Sequence, residues 1–333
     1  KENTIKLSEP SIYVADDITT SQFINLNKDM LEGLILHQVG TTSHTAILAR
    51  SFGIPILTDI PNIEQHLKNG HTLVADANNG YIITEISDKV QRFYDKRKQL
   101  QQAAQQKLRA FRDKKAQTID GKRLKVMANV TTAQEVEAAI ANGAEGIGLF
   151  RTEMFFIGRE KAPTQQQQFE EYKAAAEYAQ SKPVIIRTFD IGGDKQVDYM
   201  QHETEENPIL GSRGVRLYKQ YAEIFRGQIE AILQASAYGN LKIMIPMVSC
   251  INEVRDIRKV IEEVKRKLDK ASIKYDNDIE IGIMLEVPSI AFFIPQFADE
   301  VDFLSIGTND LTQYFLAVDR CNRNVNFLYQ SRH

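Results

Sequence analysis

The stretch "VIIRTFDIGGDK", residues 184–195, decides the fold. It begins as an unbroken apolar run, changes abruptly to Arg187 and Asp190, and ends at the pair Gly192-Gly193. A short continuous apolar run reads as a strand buried on both faces, as in a parallel sheet. The charges fall at its C-terminal edge, and the glycine pair supplies a tight turn. Working outward, the same layout recurs. "GIGLFRTE" (residues 146–153) places Arg151 and Glu153 just past a second apolar run. "GIMLEVP" (282–288) ends a third in Glu286, and "LSIGTNDLTQ" (304–313) sets Asn309 and Asp310 just past a fourth. Strands are expected over 124–130, 146–150, 183–189, 241–247, 279–286 and 301–307, with helical periodicity between them, for example over 132–142, 165–180, 252–268 and 289–297. This alternation predicts an α/β fold, a (β/α) barrel, with a doubly wound open sheet as the rival. A (β/α)8 barrel needs eight strands. The reading therefore expects a barrel incomplete after its sixth strand, with weak turnover by this chain alone.

One strand-end charge reads as an ordinary salt bridge. Four strand ends carrying arginines and carboxylates at one edge read as a site, because barrel active sites sit at that edge. Arginines clamp phosphate or carboxylate in bidentate fashion. Glu286 and Asp310 are hard oxygen ligands of the kind Mg²⁺ takes together with substrate phosphate. "NPILGSRGVR" (207–216) adds Arg213 and Arg216 in a glycine-rich turn. Together these residues predict a small phosphorylated anion bound with Mg²⁺. "IGGDK" lacks the spacing of a Walker loop.

The first third of the chain has a different grain. Short strands are expected over 11–15, 33–36, 54–57, 72–76 and 81–84, the last two joined by the hairpin signal Asn78-Asn79-Gly80. In "VGTTSHTAILARSFGIPIL" (39–57), His44 falls in the first turn of a short helix, behind a Thr42/Ser43 cap. A helix start favours an anion and disfavours a protonated imidazole, which suits a neutral phosphate acceptor. The rival reading is a capping histidine with one hydrogen bond. Residues 87–117 then contain neither glycine nor proline, and Val90, Phe93, Arg97, Leu100, Ala104, Leu108 and Phe111 recur at steps of three and four. One long linker helix follows from that spacing. The organisation expected is 1–86, a small domain presenting His44; 87–119, the linker helix; and 120–333, the barrel.

The 333 residues are 43% hydrophobic and 26% charged, with a net charge of −3, so no basic field points to nucleic acid or to an anionic membrane. No apolar run approaches a membrane span. Two cysteines make no disulfide framework and no zinc pattern, and a reducing cytoplasm is expected.

Several of these segments resemble the phosphoenolpyruvate-utilising family, most closely its Enzyme I branch, the phosphoenolpyruvate–protein phosphotransferases of the bacterial sugar phosphotransferase system. "TSHTAILARS" (42–51) is similar to that family's phosphohistidine loop. "GAEGIGLFRTEMFF" (143–156), "RTFDIGGDK" (187–195), "ENPILGSRGVR" (206–216) and "FLSIGTNDLTQYFLAVDR" (303–320) are similar to its substrate-barrel motifs. The resemblance implies a swivelling domain in which His44 becomes phosphorylated. It implies that Arg151 and Arg187 bind phosphoenolpyruvate with Arg213 assisting, and that Glu286 and Asp310 hold Mg²⁺. Asn309 and Arg320 would complete the phosphate site, with Asp310 beside them. It implies an HPr-type phosphocarrier as partner and a homodimer for full-length members. A cysteine in a later barrel segment is the family's proton donor to the enolate. The family's carrier-binding helical subdomain is not read here. A fragment similar to pyruvate phosphate dikinase or phosphoenolpyruvate synthase, and a phosphoenolpyruvate-binding regulatory module without turnover, are the alternatives.

Overall fold

The structure is a computed structural model, and it describes residues 7–18, 22–23, 26–37, 46, 49, 53–58, 60, 63, 67–157, 159–193, 197, 199–200, 205–320, 322 and 324–332. The chain divides into two compact units, Lys1–Arg109 and Ala110–His333.

The first unit holds three parallel strands in the order β1 (Ser11–Ala15), β2 (Leu31–Leu36), β3 (Ile56–Thr58). A separate antiparallel pair, β4 (Val74–Asp76) and β5 (Tyr81–Ile83), turns at Asn78-Asn79-Gly80 as the hairpin signal requires, with Gly80 at φ 74°. Leu34, Ile35 and Leu36 of the central strand are buried, as a strand covered on both faces should be. Helix α1 (Asp88–Arg109) belongs to this unit. It is held to the hairpin by polar contacts. Asp76 accepts from Tyr94 Oη at 3.0 Å and from Arg97 at 3.0 Å, while Phe93, Leu100 and Leu108 of the expected apolar stripe stay exposed. The helix is also shorter than its periodicity predicts. The chain after Arg109 forms turns, and the Arg112 backbone lies so close to Gly143 that a side chain there would collide with the Arg112 carbonyl oxygen.

The second unit is a six-stranded, all-parallel sheet in sequential order, curled into a half-barrel: β6 (Ala128–Val130), β7 (Ile147–Arg151), β8 (Val184–Arg187), β9 (Leu241–Ile245), β10 (Ile281–Leu285), β11 (Phe303–Ile306). All six expected strands are present. The first is shorter than expected, because residues 116–124 fold into an irregular hairpin with Gln117 bridged to Arg123. The helices are α2 (Ala133–Ala141), α3 (Glu153–Phe156), α4 (Gln165–Ala179), α5 (Ala222–Ser236), α6 (Ile251–Lys270), α7 (Pro288–Ala291), α8 (Ile294–Phe297) and α9 (Thr308–Leu316). Thr164 begins α4 with a capping box to Gln167, and Thr132 caps α2 through Glu135 N–H. The helix expected over 289–297 is split into α7 and α8, where Pro295 cannot donate to the preceding turn. Apolar side chains of β8, β9 and β10 merge with α4, α5 and α6 into one core, and every residue of β10 is buried. In β11, at the sheet edge, Leu304 and Ile306 are exposed. Among the described residues no helix is long and apolar enough to cross a membrane.

Candidate functional site

The parallel register aligns the strand ends, so the charges that follow them gather at one edge. Arg151 of β7 stands beside Arg187 of β8, and Arg187 stands beside Met244 of β9. From that edge a buried charge network grows. Arg187 donates to Glu153 at 2.6 Å and lies 3.6 Å from Asp190. Asp190 receives Arg213 through both carboxylate oxygens, at 2.8 and 3.3 Å. Arg213 reaches onward to Asp310 at 3.5 Å, and Arg320 approaches the same Asp310 oxygen at 3.7 Å. Glu153, Arg187, Asp190, Arg213, Glu286 and Asp310 are all buried.

Local backbone explains how Arg213 reaches Asp190. Gly192 (φ 103°) pairs with Arg213 in an antiparallel bridge, and a side chain at 192 would collide with the Ser212 carbonyl oxygen. Gly214 N–H then donates to Ile191 O at 3.0 Å. The glycines therefore let two backbones touch and pull Arg213 under the loop.

Burial opposes the charge on Arg187, but the carboxylates of Glu153, Asp190 and Glu286 overcome that and hold its pKa above the ordinary arginine value. Arg213 behaves alike, with burial outweighed by Asp190 and Asp310. Both remain cations. Glu286 moves the other way: burial, then the negative charges of Asp190 and Asp310, push it up to about 7, against the attraction of Arg187. Its Oε1 accepts from Met247 N–H at 2.6 Å, while Oε2 is buried with no hydrogen-bond partner among the described residues. Met247 presents that N–H from a left-handed backbone, φ 59°. A Cβ at Gly307 would sit 2.7 Å from Glu286 Oε2, so only glycine leaves that oxygen its space at the start of α9.

These features test whether a divalent cation fits. A buried carboxylate oxygen with no partner among the described residues, on a group raised by burial and then by neighbouring carboxylates, suits a positive charge. Four carboxylates face two buried arginines, with Arg320 at the rim beside Asp310. Among the described residues no three His, Cys, Asp or Glu side chains group closely enough to cage a metal. A cation here would be held by one or two carboxylates and complete its shell from ligand oxygens and water, the habit of Mg²⁺. The residues fit such an ion.

Of the residues expected from sequence, Arg187, Arg213, Glu286 and Asp310 are brought together, with Arg320 at their rim. Arg151 is exposed beside Arg187. Asn309 is exposed and accepts from Tyr329 Oη at 3.2 Å through its carbonyl. His44, with Thr42 and Ser43, lies outside the described residues, as do Asp194, Lys195 and Cys321. Glu153 and Asp190 are strand-end charges for which the sequence alone suggests no role. Each is a principal partner of a buried arginine, and a carboxylate three residues after Arg187 was the available signal.

Comparison with known proteins agrees with this geometry. Residues 105–333 match the family described as PEP-utilising enzyme, PEP-binding domain, and residues 7–80 match PEP-utilising enzyme, mobile domain. The chain is 46% identical over 326 residues to multiphosphoryl transfer protein 2 of Escherichia coli, covering 98% of this chain and 39% of that protein. It is 42% identical over 324 residues to the phosphoenolpyruvate-protein phosphotransferase of Staphylococcus carnosus, covering 97% and 56%, and 41% identical over 328 residues to that of Bacillus subtilis, covering 98% and 58%. It thus spans roughly two-fifths to three-fifths of the length of these relatives. Strand-end arginines paired with buried carboxylates, on a half-barrel matched over its whole length, lead to one conclusion: the chain belongs to the family of phosphoenolpyruvate-utilising enzymes.

Proposed function

We propose that this chain transfers the phosphoryl group of phosphoenolpyruvate to His44, and from there to a histidine of an HPr-type phosphocarrier protein, the first step of a sugar phosphotransferase system. The observation that carries the reading is the asymmetry of the buried cluster. Arg187 and Arg213 are fixed as cations by Glu153 and Asp190, while Glu286 beside Asp310 keeps one buried oxygen without a partner among the described residues. That pairing suits a small, multiply charged phosphate ester bound with a divalent cation. The names of the Staphylococcus and Bacillus relatives point to the same donor and the same class of acceptor.

In this mechanism Arg187 and exposed Arg151, side by side on neighbouring strands, take the phosphate and carboxylate groups of the substrate. Glu153 and Asp190 hold their arginines in fixed directions before the substrate arrives, so little reorganisation remains at the moment of reaction. Arg213 and Arg320 spread the charge, and Asn309, at the start of α9, lends an amide to the phosphate. Glu286 and Asp310 would hold Mg²⁺, which when bound stabilises charge on the transferring phosphoryl group. His44, as the neutral imidazole, attacks phosphorus in line. The N–P bond forms, the bond to the enolate oxygen breaks, and the enolate takes up a proton to give pyruvate. A cytoplasmic setting, and a homodimer for the full-length protein, are what the family resemblance implies.

The test is incubation of the intact protein with phosphorus-labelled phosphoenolpyruvate and Mg²⁺. Acid-labile label on the protein is expected, transferable to a carrier histidine and lost in His44→Ala, while that variant still binds phosphoenolpyruvate. Persistent histidine label in His44→Ala would sink the assignment. Binding without any label transfer would support a regulatory module instead.

A further inference from the structure

Phe189 stands two residues past the end of β8. Thr188 N–H still reaches Met244 O at 3.0 Å, but the Phe189 N–H must find its partner elsewhere. That partner is Gln228 Oε1, at 2.9 Å, from the middle of α5. Gln228 is fully buried. Its Nε2 donates to Thr152 Oγ1 at 3.2 Å and to Tyr172 Oη at 3.0 Å. Thr152 Oγ1 donates in turn to the Arg187 carbonyl at 2.9 Å, and Tyr172 Oη donates to Gln168 Oε1 at 3.1 Å. Both hydroxyl protons are therefore spent, and both oxygens are free to accept from the amide. Only an amide turned with its oxygen toward Phe189 satisfies all three neighbours. Tyr218 Oη closes the frame by donating to the Phe189 carbonyl at 2.9 Å.

We propose that Gln228 is a positioning residue for the phosphoenolpyruvate site. From the outer helical layer it indexes residues 187–190, holding Phe189 directly and Arg187 through Thr152, so that Arg187 meets Glu153 while Asp190 meets Arg213. The proposal rests on the phosphoenolpyruvate reading of that site. A helix-core position is filled as well by methionine or leucine, and a buried amide costs desolvation unless fully bonded. What the amide adds is direction. The residue after Thr152 is Glu153, so one short segment grips the Arg187 backbone with Thr152 and its guanidinium with Glu153.

The experiment compares the intact protein with its Gln228→Met, Thr152→Val and Thr152→Ser variants. Phosphoenolpyruvate affinity is measured by calorimetry with Mg²⁺, and amide hydrogen exchange is followed over residues 187–190 without ligand. Gln228→Met should bind at least tenfold more weakly and exchange at least tenfold faster there. Thr152→Val should move both readouts the same way by less, and Thr152→Ser should restore both. A folded Gln228→Met variant with wild-type affinity and wild-type protection overturns the proposal. Should that variant not fold, equal behaviour of Thr152→Val and Thr152→Ser overturns it. Wild-type protein that binds no phosphoenolpyruvate overturns the functional reading instead, and the exchange comparison still decides the positioning role.

Discussion

Asp76 in the first unit and Glu286 in the second are both buried carboxylates, and they are treated oppositely. Asp76 accepts from Asn78 N–H, Asn79 N–H, Asn79 Nδ2, Tyr94 Oη and Arg97, all between 2.9 and 3.2 Å. Burial alone would raise its pKa, but the Asn79 and Tyr94 hydrogen bonds and the Arg97 charge outweigh it and hold the group below the usual carboxylate range. Among the described residues Glu286 has one donor, an unpartnered oxygen and two facing carboxylates, and its pKa is raised to about 7. A carboxylate that closes a hairpin onto a helix is saturated with donors. The carboxylate proposed to hold a cation is left short of them. Donor count distinguishes the two jobs better than burial does.

The comparison breaks most visibly if Glu286 turns out to be structural. Glu286→Gln removes a strained charge while keeping the shape. Its thermal stability should be unchanged or higher, and Mg²⁺-dependent phosphorylation of the intact protein should fall on the order of 10²- to 10³-fold, the scale of losing one preorganised electrostatic contact. A lower melting temperature together with an unchanged Mg²⁺ titration would put Glu286 in the same class as Asp76. Arg187→Lys is expected to be next in size. A point charge cannot hold Glu153 and grip a substrate in the planar fork of a guanidinium. A loss of about 2 kcal/mol in kcat/KM follows, roughly thirtyfold. Near-normal kinetics would show that charge alone suffices.

Asp76→Asn sharpens the other half. It removes the charge paired with Arg97 and turns one acceptor oxygen into a donor facing donors. Arg97 is 42% exposed, so solvent screens part of the loss. The first unit should lose about 1–2 kcal/mol of stability, read by chemical unfolding. Phosphoenolpyruvate affinity should not change, because that cluster belongs wholly to the second unit. A matching drop in affinity would mean that Asp76 does more than close its hairpin.

Those strands, and the edge where their charges collect, were legible because both rest on local pattern: apolar runs such as 282–285 stopped by one charge. Arg213 was legible through its glycine-rich turn. What sequence could not show is who pairs with whom. Glu153 and Asp190 look like any strand-end acids until the register sets them against Arg187 and Arg213. Gln228 sits in an unremarkable helical stretch, and its role depends on contacts to residues 39 and 76 positions away. The linker helix was overextended for a related reason. Its period continues to Phe111, but the fit of Arg112 against Gly143, distant in sequence, overrides it.

The smallest effect is a pH dependence, and its sign separates the two carboxylates most cleanly. Asp76 has a folded pKa below its unfolded value, near 4. Its stabilisation is complete above that value and is lost as pH falls through the folded pKa. Glu286 has a folded pKa of about 7, above its unfolded value near 4. Between those limits the folded protein binds more protons than the unfolded chain, so its contribution falls as pH rises through that window and levels off above about 7. A bound cation reverses the balance, because it needs the ionised form. Mg²⁺ affinity should therefore climb by up to about tenfold per pH unit below 7 and flatten above it, with net proton release on binding near pH 6. Calorimetry in buffers of different ionisation enthalpy measures that release directly. Glu286→Gln should abolish the slope and Asp76→Asn should leave it untouched. A Mg²⁺ affinity that is flat from pH 5.5 to 7.5 in the wild-type protein would mean that Glu286 is already ionised in the free site, and that its lone oxygen is paired by a group other than the cation.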